Sequence, residues 1–130
     1  MTAKNPKDSL TILTDMVLPG ETNALNNLFG GELLARMDRA CSIAAQRHSK
    51  RIVVTASVNH VAFNKAVPVG SVVIIEAKVS RAFNSSMEIF IDVYVENPKL
   101  SFASGETRLP HVYRTAKQWL CIYHRKSKEW

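Results

Sequence analysis

Twenty-one consecutive residues, "GGELLARMDRACSIAAQRHSK" from Gly30 to Lys50, carry no proline and no glycine after the opening pair. The run is full of good helix formers. Leu33, Leu34, Met37, Cys41, Ala44, Ala45 and His48 recur at spacings of three and four, which is one face of a helix. A helix of that length is about 30 Å long and must lay its apolar face on something of similar size. Arg36, Arg39 and Gln46 are predicted to point away from that face. Ile43 breaks the pattern on the far side, and Asp38 falls at the edge of the stripe.

Beyond the helix the chain reads as β-structure. "IVVTASVNHVAF", Ile52 to Phe63, is valine-rich and uncharged, as a strand buried on much of both faces would be. "SVVIIEAKVSRAF", Ser71 to Phe83, is a further strand, and "NSS" is a hairpin connector. "MEIFIDVYVEN", Met87 to Asn97, alternates: Met87, Ile89, Ile91, Val93 and Val95 share one face. Glu88, Asp92 and Glu96 share the other, which is expected to be solvated. Pro98 to Pro110 is a loop, and "HVYRTAKQWLCIYH" is the last strand. Before the helix, residues 1–8 read as a loose polar tail. "LTILTDMVLPG" reads as a short strand ending in a Pro-Gly turn, and "ETNALNN" as a loop.

The order is strand, one long helix, then four strands. Short connections between long strands imply antiparallel pairing. The predicted fold is therefore α+β, a single domain over residues 1–130, with one helix against an antiparallel sheet of about five strands. One helix covers one sheet face only, so a homo-oligomer is expected to cover what remains apolar.

The chain has 130 residues, 46% of them hydrophobic and 22% charged, which is long enough for a core that needs neither disulfide nor metal. Cys41 and Cys121 lack metal-site spacing and fit a reducing compartment. No segment resembles a secretory signal or a membrane span, so the expected location is cytoplasmic. The net charge of +6 suits an anionic ligand. Nucleic acid, an anionic membrane or a small phosphorylated ligand would each fit, and the dispersal of the basic residues gives the charge little weight in choosing among them. Phe63, Phe83, Phe90, Tyr94 and Trp119 do not interleave with arginines as a base-stacking surface would.

GxSxG, Walker, GxGxxG and HExxH signatures are absent, and the four histidines are scattered. The stretch "NNLFGGELLARMD" stands out instead. A helix N-terminus exposes unpaired N–H groups and a partial positive charge. Glycines at Gly30 and Gly31 would let a ligand oxygen approach those groups. Asp38 lies two turns further on. It could aim its carboxylate at a groove, or simply pair with a neighbour such as Arg39.

"NALNNLFGGELLARMDRA", "RHSKRIVVTASVNHVAFNKAVPVGSVV" and "SSMEIFIDVYVE" together resemble the acyl-coenzyme A thioesterases of the hotdog fold. The resemblance runs from about Asn23 to Glu96, and after Asn97 the chain departs from the family pattern. It implies a long helix wrapped by an antiparallel sheet, and dimers assembled three to a hexamer with active sites between subunits. It implies hydrolysis of fatty acyl-CoA to free acid and CoA, with no cofactor, metal, membrane or nucleic-acid partner. Asp38 matches the family's catalytic carboxylate, acting as general base or nucleophile. Asn27 matches the asparagine before Phe-Gly-Gly, and Gly30 and Gly31 the oxyanion-binding glycines. Phe63, Lys65, Arg81, Ser85 and Ser86 are candidates for contact with the CoA portion. A non-catalytic acyl-CoA sensor on the same fold is the alternative.

Overall fold

The structure is a computed structural model, and it describes residues 6–63, 65–97 and 112–125. Five strands, β1 (Thr11–Met16), β2 (Val53–Phe63), β3 (Val72–Ala82), β4 (Ser86–Glu96) and β5 (Val112–Arg125), form one sheet. Its order is β1-β3-β4-β5-β2, and every pairing is antiparallel. The helix α1 (Gly30–Ser49) crosses one face. This is the α+β arrangement expected from the pattern of periods, with strand ends within one residue or two of those read from the sequence. The loop expected over 98–110 and the tail beyond Arg125 lie outside the described residues.

The alternation in β4 places Met87, Ile89, Ile91, Val93 and Val95 in the core with Val73, Ile75, Ala77 and Val79 of β3. Against them lie Leu33, Met37, Ala40, Cys41, Ala44 and Ala45 of the helix. Three alanines and a cysteine among these let the helix axis come close to the sheet. The opposite β4 face is half-buried at Glu88, Asp92 and Glu96 rather than open to water. Packing by neighbouring strands on both sides of a central strand accounts for that difference.

The buried stripe of α1 is rotated from its predicted position. Arg36 is buried, at 6% exposure, while Leu34 is 37% exposed and His48 only half-buried. Hydropathy alone assigns leucine inward and arginine outward. Here carboxylates from the end of β1 and the loop after it receive the guanidinium, so its stem can lie on the protein. The rotation leaves Leu34 and Asp38, four residues apart, together on the uncovered side.

The ends of the elements have specific causes. α1 stops at Lys50, which adopts the left-handed conformation (φ 58°) and donates its N–H to Gln46. Gly70, at φ 83°, sits third in the turn closed by the Ser71 N–H on the Pro68 carbonyl, a position that calls for glycine. The hairpin at Asn84-Ser85 is closed by the Phe83 N–H on the Ser86 carbonyl. Residues 6–8, expected as part of a loose tail, instead form a 3-10 turn with Ser9. It is held there because the Ser9 hydroxyl accepts the Val79 N–H at 2.9 Å.

Met37, 1% exposed at the centre of the helix–sheet contact, gives a direct test of this packing. Met37→Ala should lower stability to urea by about 2–5 kcal/mol with the fold retained.

Candidate active site

The start of α1 is unusual in having no side-chain cap. The N-cap is Phe29, which has no side chain able to accept an N–H. The first intrahelical bond is donated by the Leu33 N–H to the Phe29 carbonyl at 3.1 Å. The N–H groups of Gly30, Gly31 and Glu32 precede that bond in the first turn, where no intrahelical acceptor exists. A Cβ added at Gly31 would meet nothing within 4 Å. The space on the Cβ side of Gly31 is therefore open.

The loop leading to this end is shaped by Asn23. Its side-chain oxygen accepts the N–H groups of Leu25 at 3.0 Å and Asn27 at 3.1 Å. Its own N–H donates to the Asn27 carbonyl at 2.8 Å. Asn26 takes a left-handed conformation (φ 60°) at the tip, which asparagine tolerates well. The loop is zipped onto the segment after β2 by the Leu28 N–H on the Val67 carbonyl and the Val69 N–H on the Asn26 carbonyl, both 2.8 Å. Asn27 is half-buried, and its backbone bridges to Pro68.

Asp38 is exposed on the uncovered side of α1. Its Oδ1 accepts a hydrogen bond from the Thr55 hydroxyl at 2.7 Å. Thr55 lies in β2 next to a register shift between Thr55 and Ser57. Bulges of this kind re-aim side chains and are common beside functional sites. Sequence reading passed over Thr55 because a threonine in a β-branched run looks like strand filler. The one available signal was a hydroxyl among valines, and only the helix crossing identifies what it meets.

The remaining candidates fall into two groups. Lys65, half-buried, is two residues before Val67 and so lies close to the helix start. Phe63 ends β2 beside it, and its side chain is outside the described residues. Arg81, Ser85 and Ser86 are at the β3–β4 hairpin, with the Arg81 guanidinium 5.5 Å from the Phe83 ring centroid. β3 separates the groups by about 30 Å. Val54 and Ser86 both pair with His124, so the hairpin is two strand spacings, about 10 Å, from the start of β2 where Thr55 stands. One chain thus brings Asp38 to Thr55 but does not bring Lys65 to Arg81.

Among the described residues, no group of three His, Cys, Asp or Glu side chains is placed to hold a metal ion, and no helix is long and apolar enough to cross a membrane.

Known proteins share this architecture. Acyl-coenzyme A thioesterase 11 of Mus musculus is 44% identical over 85 residues, 65% of this chain and 14% of its own. An uncharacterized acyl-CoA thioester hydrolase of Buchnera aphidicola subsp. Baizongia pistaciae is 38% identical over 98 residues, 74% of this chain and 72% of its own. The chain spans about half the length, or less, of several curated relatives it matches. Among solved structures, an apo-hexameric acyl-CoA thioesterase superposes with a TM-score of 0.86 at 28% identity, covering 99% of this chain and 76% of the other. The acyl-CoA hydrolase of Staphylococcus aureus, in complex with butyryl coenzyme A and coenzyme A, gives 0.83 at 28% identity, with 97% and 71% covered. That hydrolase is also known as three single alanine variants. One replaces an aspartate, one an asparagine fifteen residues before it, and one a threonine seventeen residues after it. The thioesterase superfamily pattern matches residues 25–102, well over half of the sequence, and by that match the chain belongs to the thioesterase superfamily, whose solved members share its hotdog fold.

Proposed function

We propose that this chain hydrolyses acyl-CoA thioesters at a site built from Asp38, Thr55, Asn23 and the first N–H groups of α1. The observation that carries the reading is the exposed Asp38 carboxylate, held at 2.7 Å by Thr55 on the open side of an uncapped, glycine-started helix. Asn23 precedes Asp38 by the same fifteen residues, and Thr55 follows it by the same seventeen, that separate the residues altered in the Staphylococcus aureus hydrolase. This spacing favours Asn23 over Asn27 as the asparagine of the site. Asn27 then serves through its backbone, which holds the turn around Asn23.

The chemistry follows from the placement. Water adds through its oxygen to the thioester carbon while Asp38 takes the proton. The carbonyl oxygen becomes an anion, and the N–H groups of Gly30 and Gly31 receive it; one such donor is worth about 3 kcal/mol of barrier. The carbon–sulfur bond then breaks, and the thiol leaves with the proton. In the other form of the mechanism Asp38 attacks the carbonyl itself, and water then hydrolyses the anhydride. Label in Asp38 after a single turnover in heavy-oxygen water would establish the second form with water attacking the Asp38 carbonyl of the anhydride, because direct attack of water on the thioester never labels Asp38. Coenzyme A is product here, and no further cofactor is invoked.

The CoA phosphates need cationic or hydroxyl partners. Arg81, Ser85 and Ser86 share the sheet end at which Thr55 stands, and Phe63 and Lys65 share the helix start. Given their separation, we assign the two groups to different sites of a homo-oligomer. β2 is an edge strand with exposed Ile52 and Val54 at its start, a surface suited to a second copy of the chain. Hexameric thioesterases are among its structural neighbours, and a trimer of dimers is the assembly we infer.

Asp38→Asn should lower the turnover of acyl-CoA, read as free thiol across a panel of acyl lengths, by about a thousandfold with the fold intact. Undiminished turnover would reject the site. Saturable binding without thiol release by the unaltered protein would establish the sensor alternative. Thr55→Val keeps the side-chain shape but removes the donor to Asp38. It should reduce kcat about tenfold while the urea midpoint barely moves, because the pair is exposed. Gly31→Ala should raise stability by a few tenths of a kcal/mol. The same change should slow thiol release about tenfold, since the new methyl stands where the substrate oxygen must approach a donor.

A further inference from the structure

The loop between β1 and α1 carries Asn23 and leads into the helix-start donors, and one residue gathers its strands together. The Glu21 carbonyl accepts the Phe29 N–H at 3.1 Å, just before the helix begins. Its Oε1 accepts the Leu18 N–H at 3.0 Å, where the loop leaves the sheet. Its Oε2 accepts from Nη2 of Arg36 at 2.6 Å. Arg36 is two residues before Asp38, its side chain is 7% exposed, and the same Nη2 is 3.7 Å from Oδ2 of Asp15. Its Nη1 is buried with no hydrogen-bond partner among the described residues.

An arginine buried this far with the two donors of one terminal nitrogen unpaired among the described residues is a poor choice for stability alone, because each unpaired donor costs desolvation. A leucine or glutamine at this helix position would fill the space at lower cost. What the arginine adds is a rigid link from the helix turn that carries Asp38 to the loop that carries Asn23. We infer that Glu21 and Arg36 are a positioning pair, which sets Asn23 and the Gly30-Gly31 donors in register with Asp38. Neither residue touches the substrate. The inference rests on the thioesterase reading for its catalytic consequence, but not for the mechanical one.

The charge state supports a link that persists at neutral pH. The Glu21 carboxyl is held below the usual glutamate range, first by the Leu18 backbone N–H and then by the Arg36 hydrogen bond. Desolvation opposes this and Coulombic attraction to Arg36 adds to it. A lowered value means that the charged form is favoured by folding. The link is therefore complete above the ordinary carboxylate range and is lost only as pH falls below it. Among the described residues, Asp15 from β1 lies against the pair, and Arg39, one turn on along the helix, lines the same small cavity as Asp15 and Arg36.

Three variants of the full chain test the pair: Glu21→Gln, Arg36→Met and Arg36→Lys. Amide hydrogen exchange at Leu18 and Phe29 should become about tenfold faster in Glu21→Gln and Arg36→Met, with the β4 amides unchanged. Thiol release from a short acyl-CoA should show kcat lowered about tenfold and KM within about twofold, as misalignment of a bound substrate requires. Arg36→Lys should recover kcat to within about threefold of the original, because a single nitrogen makes both carboxylate contacts. Unchanged exchange at Leu18 and Phe29 would overturn the inference. So would a raised KM with normal kcat, or a lysine variant as slow as the methionine one. If the unaltered protein releases no thiol, the thioesterase reading fails, and the exchange measurements alone decide the link.

Discussion

The small-residue stripe of α1, Ala40, Cys41, Ala44 and Ala45, lies flat on the inward side chains of β3 and β4. These positions are fully buried, and their short side chains hold the helix close to the sheet. Close packing leaves little freedom to roll. The roll angle of this one helix then decides which residues lie on its flanks. On one flank Arg36 meets the loop after β1; on the other Asp38 meets Thr55. The candidate site is thus a by-product of a helix seated by small residues.

Several local choices run against stability, and they cluster. The helix starts without a capping side chain, on two glycines. An aspartate and a leucine face outward together, and an arginine is buried with one nitrogen unpaired among the described residues. The facing residues of α1, β3 and β4 in the core cluster are apolar, as ordinary packing requires. Conflicts between local preference and fold that concentrate in one place are the expected mark of a functional region. Here that place runs from Glu21 through the helix start to Asp38.

The fold was largely legible in the residues. β4 alternates strictly, and its predicted inward set lies wholly within its buried set. α1 was bounded to within a residue, because glycine pairs and terminal cations punctuate it. The roll of the helix was less legible. Leu34 and Arg36 exchanged their expected roles because the carboxylates that receive Arg36 are fifteen and twenty-one residues away in sequence. Thr55 escaped for the same reason, since its partner lies seventeen residues back across a chain reversal. Asn23, which we propose in place of the expected Asn27, lies four residues before it, and the two exchange hydrogen bonds within one turn.

The sequence by itself determined the element order, the antiparallel sheet, the inward face of β4 and the open glycine start of the helix. Each depends on periodicity or backbone conformation within a few neighbouring residues. Only the tertiary structure decided that Asp38 answers to Thr55, that Glu21 gathers the loop onto Arg36, and that Lys65 and Arg81 stand at opposite ends of β3. Those relations depend on where a helix crosses a sheet and on how strands register. Such long-range geometry comes from packing the whole core at once, so no local pattern encodes it.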